Sequence, residues 1–149
     1  MLYTIIIILA AVFGIYALTL QRDLFARVIL ILMILAVALT LCPSENMKTI
    51  GFQFYLLPVG LAILYALLKK GFSVRKRSLL LLIALPVFCA NLFVLYKWPS
   101  ADIISMMCLV SVIAFLIICF KSARDYKNEI GFLAILAADA VIKAAIAIV

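Results

Sequence analysis

The sequence predicts an all-α, polytopic integral membrane protein: six transmembrane helices in one bundle, with short loops and both termini outside. Three observations predict it. Hydrophobic residues make up 70% of the 149 positions and charged ones 13%, with a mean hydropathy of +1.40, whereas a soluble domain is about half apolar and about a quarter charged. Apolar runs fall at roughly 2–20, 24–42, 50–68, 78–96, 103–120 and 130–149, each 18 to 20 residues long. About twenty helical residues at 1.5 Å each cross a hydrocarbon core of about 30 Å. Third, the cations alternate from one connection to the next.

The elements follow in order. The first run carries no basic residue before its apolar stretch and no small-residue cleavage site after a short one, so it is expected to be a membrane helix and not a signal peptide. Gln21-Arg22-Asp23 closes it, and Arg27 lies near the start of the second run. Pro43-Ser44-Glu45-Asn46 closes the second, Lys69 to Arg77 the third, Lys97-Trp98-Pro99-Ser100 the fourth, and Lys121 to Glu129 the fifth. Within the runs no period-two alternation appears, which favours helix over barrel strand. Loops this short make successive helices antiparallel neighbours. No soluble region remains, so residues 1–149 form a single six-helix domain.

The first, third and fifth connections carry ten lysines and arginines, and the second and fourth carry Lys48 and Lys97 alone. Basic connections stay on the cytoplasmic side, which places both ends outside and the chain in a bacterial cytoplasmic (inner) membrane. The net charge of +7 follows from this topology and does not point to nucleic acid. Tyr3, Trp98 and Tyr126, with Tyr96, sit at run ends, where interfacial aromatic anchors belong.

Chemistry is sparse. There is no histidine, the commonest metal ligand and general base. Cys42, Cys89, Cys108 and Cys119 form no CxxC pair and read as small packing residues. No nucleophile–base pair, phosphate loop or metal-ligand spacing is present, so no catalytic residue, metal or cofactor is expected and the chain reads as a non-enzyme.

Five residues stand out as binding or transport candidates. Asp139 lies about 13 Å into the last helix, where an aspartate costs on the order of 3 kcal/mol by insertion scales. Lys143 is four residues on, on the same face. Two readings are open for the pair: a proton- or cation-handling carboxylate, or an internal structural ion pair. Pro58 and Pro86 fall mid-membrane in the third and fourth helices and free backbone carbonyls there. Asn91, about one turn beyond Pro86, suits interhelical hydrogen bonding. Ala134/Ala138 and Ala140/Ala144 make the last helix a close-packing one, within the bundle or at a subunit interface.

Phe93, Trp98, Pro99, Ala101 and Asp102, in the stretch Leu92 to Phe120, resemble the membrane hairpin of the GldL family of gliding and type IX secretion motors of Bacteroidota. In that family an HWPGAD-like turn joins two helices on the periplasmic side. Here Lys97 replaces the histidine and Ser100 the glycine, and Val112 stands near the place of the family's motor glutamate. The resemblance therefore implies a hairpin and not a proton-driven motor. Gly14 to Ile34 and Val59 to Lys70 are also similar to helices of the K subunit of respiratory complex I, with Leu32 or Met33 where that family carries a membrane glutamate.

The expected function is that of a non-catalytic membrane subunit or scaffold. Its partners are the lipid bilayer and either another membrane protein or a second copy, with no nucleic acid. The alternative is a small transporter or ion- or proton-conducting protein using Asp139 and the proline-kinked helices.

Overall fold

The computed structural model describes residues 2–121 and 123–148, and for Leu2 and Ala123 the backbone alone. It contains α1 (Leu2–Leu20), α2 (Leu24–Leu41), α3 (Glu45–Leu68), α4 (Val74–Leu95), α5 (Ala101–Lys121) and α6 (Ile130–Ile148), with a short 3-10 turn over Ala123–Tyr126. All six helices are long and apolar enough to cross a membrane. No strand occurs among the described residues. The fold is that of a multi-pass membrane protein. Val149, the expected end of the last span, lies outside the described residues.

The apolar runs locate the helices, but α3 and α4 start earlier than 50 and 78. Hydropathy marks only the lipid-soluble part of a helix; at α4 a capping residue sets where the helix begins, while Ser44 ahead of α3 makes no side-chain cap. Ser73 caps α4 by accepting from Lys76 N–H at 3.2 Å, so Arg75, Lys76 and Arg77 are helical instead of looped. Asp23 caps α2 in the same way, accepting from Phe25 N–H at 3.0 Å.

α6 is the inner helix. It packs on α1 and α5 and also reaches α2 and α4. Half of its span is buried, against 11% for α1. Small residues allow this. A Cβ on Gly131 would lie 2.7 Å from both Ala17 Cβ and Leu30 Cδ2, so only glycine admits α1 and α2 so close to α6. Ala137, Ala138, Ala140 and Ala144 are buried within the chain. Of the alanines singled out in the sequence, Ala138, Ala140 and Ala144 thus pack inside the chain, and Ala134 is half-buried. At the far side of the bundle α2 and α3 cross equally closely, where a Cβ on Gly51 would meet Thr40 N at 2.7 Å.

Pro86 leaves the carbonyl of Leu82 without its helical donor. Ser111 of α5 supplies one: its hydroxyl lies 3.2 Å from Leu82 O and 3.0 Å from Ile83 O. The carbonyl that Pro86 frees is therefore satisfied from the neighbouring helix.

The first, third and fifth connections meet at one end of the bundle. Arg22 N–H donates to Asn128 Oδ1 at 3.0 Å, Asp23 pairs with Lys69, and Lys76 Nζ donates to Asp125 O at 2.7 Å. This is the basic end. At the opposite end the α4–α5 turn places Lys97 and Ser100 at φ of 51° and 67°, a left-handed backbone that costs a non-glycine residue on the order of 1 kcal/mol. Trp98 meets Phe93 edge-on there, stacks against Tyr96 and stays half-exposed, as a headgroup-level anchor does. Tyr126 departs from that role. It is buried, with Lys76 Nζ 5.1 Å from its ring centre. The polar turn folds back under the bundle and takes the ring with it.

Candidate functional site

Asp139 faces the bundle interior and is 7% exposed. Two helices supply its donors. Lys143, one turn later on α6, pairs with Oδ1. Asn91 of α4 donates from Nδ2 to Oδ2 at 3.0 Å and to Val87 O at 2.8 Å. Lys143 does not snorkel outward; its stem runs inside the bundle and its ammonium lies 5.8 Å from the centre of the Phe52 ring. A lone intramembrane carboxylate is costly, and a partner one helical turn away offsets that cost with little loss of side-chain freedom.

A cavity of about 60 Å³ adjoins this pair, lined by Ile7, Val37, Thr40, Phe52, Tyr55, Asn91 and Asp139. Its walls come from five helices. Thr40 is the penultimate residue of α2, and Asn91 stands four residues from the end of α4, so the cavity lies in the half of the bundle away from the basic end. Tyr55 Oη and Asn91 Oδ1 are buried and have no hydrogen-bond partner in the protein. The Asp139 carboxylate itself is met by two nitrogens, Lys143 Nζ at Oδ1 and Asn91 Nδ2 at Oδ2. No group of three or more metal-ligating side chains occurs among the described residues.

Of the five candidates read from the sequence, Asp139, Lys143 and Asn91 come together. Pro58 and Pro86 do not line the cavity. Pro58 is buried in α3, and Pro86 frees the Leu82 carbonyl that Ser111 meets.

A second polar cluster, not anticipated from the sequence, closes the basic end. Glu129, 1% exposed, lies 3.0 Å from Lys76 Nζ through Oε2. The Tyr65 hydroxyl is 3.0 Å from Glu129 Oε1 and 3.1 Å from Asp23 Oδ2, and it accepts from Lys69 Nζ at 3.0 Å. One phenol hydrogen serves only one of the two carboxylates at a time. The ion pairs tie the C-cap residue of α3 to the cap of α2, and α4 to the residue directly before α6. Phe72 sits beneath both ammonium groups, 5.6 Å from Lys69 Nζ and 4.6 Å from Lys76 Nζ. Burial holds the Lys69 ammonium below the usual lysine range, with the Glu129 charge opposing and Lys76 reinforcing. Burial likewise pushes the Tyr126 phenol up, against Arg75.

Glu129, directly before α6, and Asp139 within it are ten residues apart, about 15 Å along the helix axis. Between them α6 is wholly apolar from Ile130 to Ala138, and its buried residues there include Phe132, Leu133, Ile135 and Leu136. The two polar clusters thus flank a dry apolar layer. Cluster residues such as Glu129 sat among ordinary loop charges in the sequence. The available signal was Glu129 directly abutting an apolar helix, where a carboxylate is favoured by the helix dipole.

Searches against protein-family models, curated proteins and solved structures give no match to this chain.

Proposed function

We propose that the protein is a small membrane carrier for protons or monovalent cations, with Asp139 as the loading site. One observation carries the reading: a buried, ion-paired carboxylate that lines a cavity in the bundle together with Tyr55 and Asn91, each of which holds a buried oxygen without a hydrogen-bond partner. A structural ion pair needs its partner but not a cavity. At about 60 Å³ the space admits a bare monovalent ion or a few waters and excludes organic solutes.

Lys143 supplies the coupling logic. A proton or cation arriving at Asp139 neutralises the carboxylate and competes with the ammonium. When the load leaves, Lys143 returns and keeps the empty site neutral. Moving an uncompensated aspartate through the apolar layer would cost on the order of 3 kcal/mol, and the tethered ammonium removes most of that. The ion pairs Lys69–Asp23 and Lys76–Glu129 act as the closed gate at the basic end. By the alternation of cations this end faces the cytoplasm, with both termini outside and a bacterial inner membrane as the location.

The scaffold reading rested on few intramembrane polar groups and on the alanine-rich last helix, most of whose alanines pack inside this chain. The lipid-facing sides of α1 and α5 carry large residues such as Leu9, Val12, Ile113 and Phe120, which is what acyl chains meet and not what close helix docking needs.

The test is flux into proteoliposomes under imposed pH or sodium gradients, read with pH- and sodium-sensitive dyes. The wild-type protein should dissipate one gradient. Asp139→Asn should abolish flux while the protein elutes and melts as a folded species. Absence of wild-type flux under either gradient, or full flux in Asp139→Asn, would contradict the proposal.

A further inference from the structure

A second kind of site lies at the basic end, away from Asp139. A groove of about 740 Å³ runs between the end of α1 and the connection leading into α6. Its polar mouth holds Arg22, Arg124 and Lys127, all exposed. None of the three takes part in a salt bridge among the described residues. Asp125 also lines the mouth, so three cations face one carboxylate, and its own backbone carbonyl is engaged by Lys76. The wall below is apolar: Leu20 and Phe13 of α1 and Ile130 of α6. Phe13 and Leu20 are 41% and 55% exposed. They stand seven residues apart, so the wall runs about 10 Å into the membrane from the cationic mouth.

We infer that this groove binds an anionic phospholipid, with its phosphodiester between Arg22, Arg124 and Lys127 and the upper part of an acyl chain along Leu20 and Phe13. The charge pattern selects the occupant. A zwitterionic headgroup brings no net charge to a mouth with two cations in excess, whereas an anionic one completes it. Two arginines can each present paired N–H donors to a phosphate, a geometry that a lone lysine lacks. The position fits as well, because the cations sit at the helix ends and the apolar wall descends from them. A soluble anion would leave that wall exposed, and a protein partner would need an acidic segment at membrane level. The inference rests on membrane insertion alone, and does not depend on Asp139 moving ions.

The test uses purified full-length protein in detergent, with phosphatidylglycerol or phosphatidylcholine added at equal mole ratio, and reads the thermal unfolding midpoint. Phosphatidylglycerol should raise the midpoint more. The triple variant Arg22→Gln/Arg124→Gln/Lys127→Gln should lose that difference. Arg27→Gln/Lys70→Gln/Arg75→Gln removes as many cations of the same end without touching the groove, and should keep it. Equal shifts from the two lipids, or equal loss in both triple variants, would overturn the site and leave only general attraction to negative surfaces. Leu20→Trp guards against a triple variant that fails to fold. It fills the groove and keeps every charge. Native mass spectrometry should show it retaining less phosphatidylglycerol than the wild type, and undiminished retention would overturn the proposal.

Discussion

Asn91 Nδ2 donates to Asp139 Oδ2 at 3.0 Å, and this hydrogen bond joins α4 to α6 at the wall of the cavity. Asn91→Leu removes the donor and leaves a carboxylate oxygen without it. Hydrogen bonds between membrane helices average about 0.6 kcal/mol, and those to charged groups reach about 1.5–3 kcal/mol. A loss of about 1–2 kcal/mol is expected, measured by steric trapping or by unfolding in mixed micelles. Asp139→Asn in the same background should make the Asn91 substitution cost less, since the coupling between the two side chains has then lost its charge.

Lys143→Met should be the more damaging change at this site. It keeps the length of the stem and removes the charge that neutralises Asp139. The cost should approach the roughly 3 kcal/mol of an uncompensated intramembrane aspartate. Lys143→Met/Asp139→Asn should recover most of it, since the double variant buries no charge. If the double variant melts no higher than Lys143→Met, the two residues are not energetically paired.

Ser111→Ala removes the hydroxyl that meets the carbonyls of Leu82 and Ile83. The carbonyl of Leu82 is then left without a donor, because Pro86 has no N–H to give it. A loss of about 1 kcal/mol is expected. Ser111→Thr, which keeps the hydroxyl, should cost less. Pro86→Ala restores the helical donor and should make Ser111→Ala nearly neutral. A double-mutant cycle over these two positions checks the coupling.

At the basic end, Lys76→Met leaves Glu129 buried beside the Tyr65 hydroxyl without its lysine. Removing one member of a buried pair costs about 3–5 kcal/mol. The variant should melt lower than the wild type, and Lys76→Met/Glu129→Gln should regain part of the difference. In vesicles the weakened gate should also raise gradient-driven leak. A Lys76→Met protein with unchanged stability would mean that the Lys76–Glu129 contact is not maintained in the bilayer.

Much of this fold was legible in sequence because a bilayer imposes a length and a polarity on every span. Six apolar runs gave six helices, and the alternating cations foretold which connections meet, as Arg22–Asn128 and Asp23–Lys69 do. The starts of α3 and α4 were not legible in hydropathy: Arg75 to Arg77 are helical behind the Ser73 cap, and Glu45 heads α3 where Ser44 makes no side-chain cap. At the site, Asp139 and Lys143 announced themselves through helical spacing and the cost of burial. Asn91 is 48 residues from Asp139 in sequence, and only the packing of α4 on α6 brings them together. Tyr55 and Thr40 gave no signal at all, because a phenol or a hydroxyl on an apolar helix looks the same whether it faces lipid, a neighbour or a cavity. The cluster around Glu129 and Tyr65 was hidden for the opposite reason: its charges lay among many others that serve topology.

The most direct measurement of the central claim is charge movement through the reconstituted protein, recorded by solid-supported membrane electrophysiology after a jump in proton or sodium concentration. The account predicts a transient current in the wild type, a current of altered size or rate in Asp139→Glu, and none in Asp139→Asn. A current in Asp139→Asn equal to that of the wild type, or no current from well-folded wild-type protein under either jump, would contradict it.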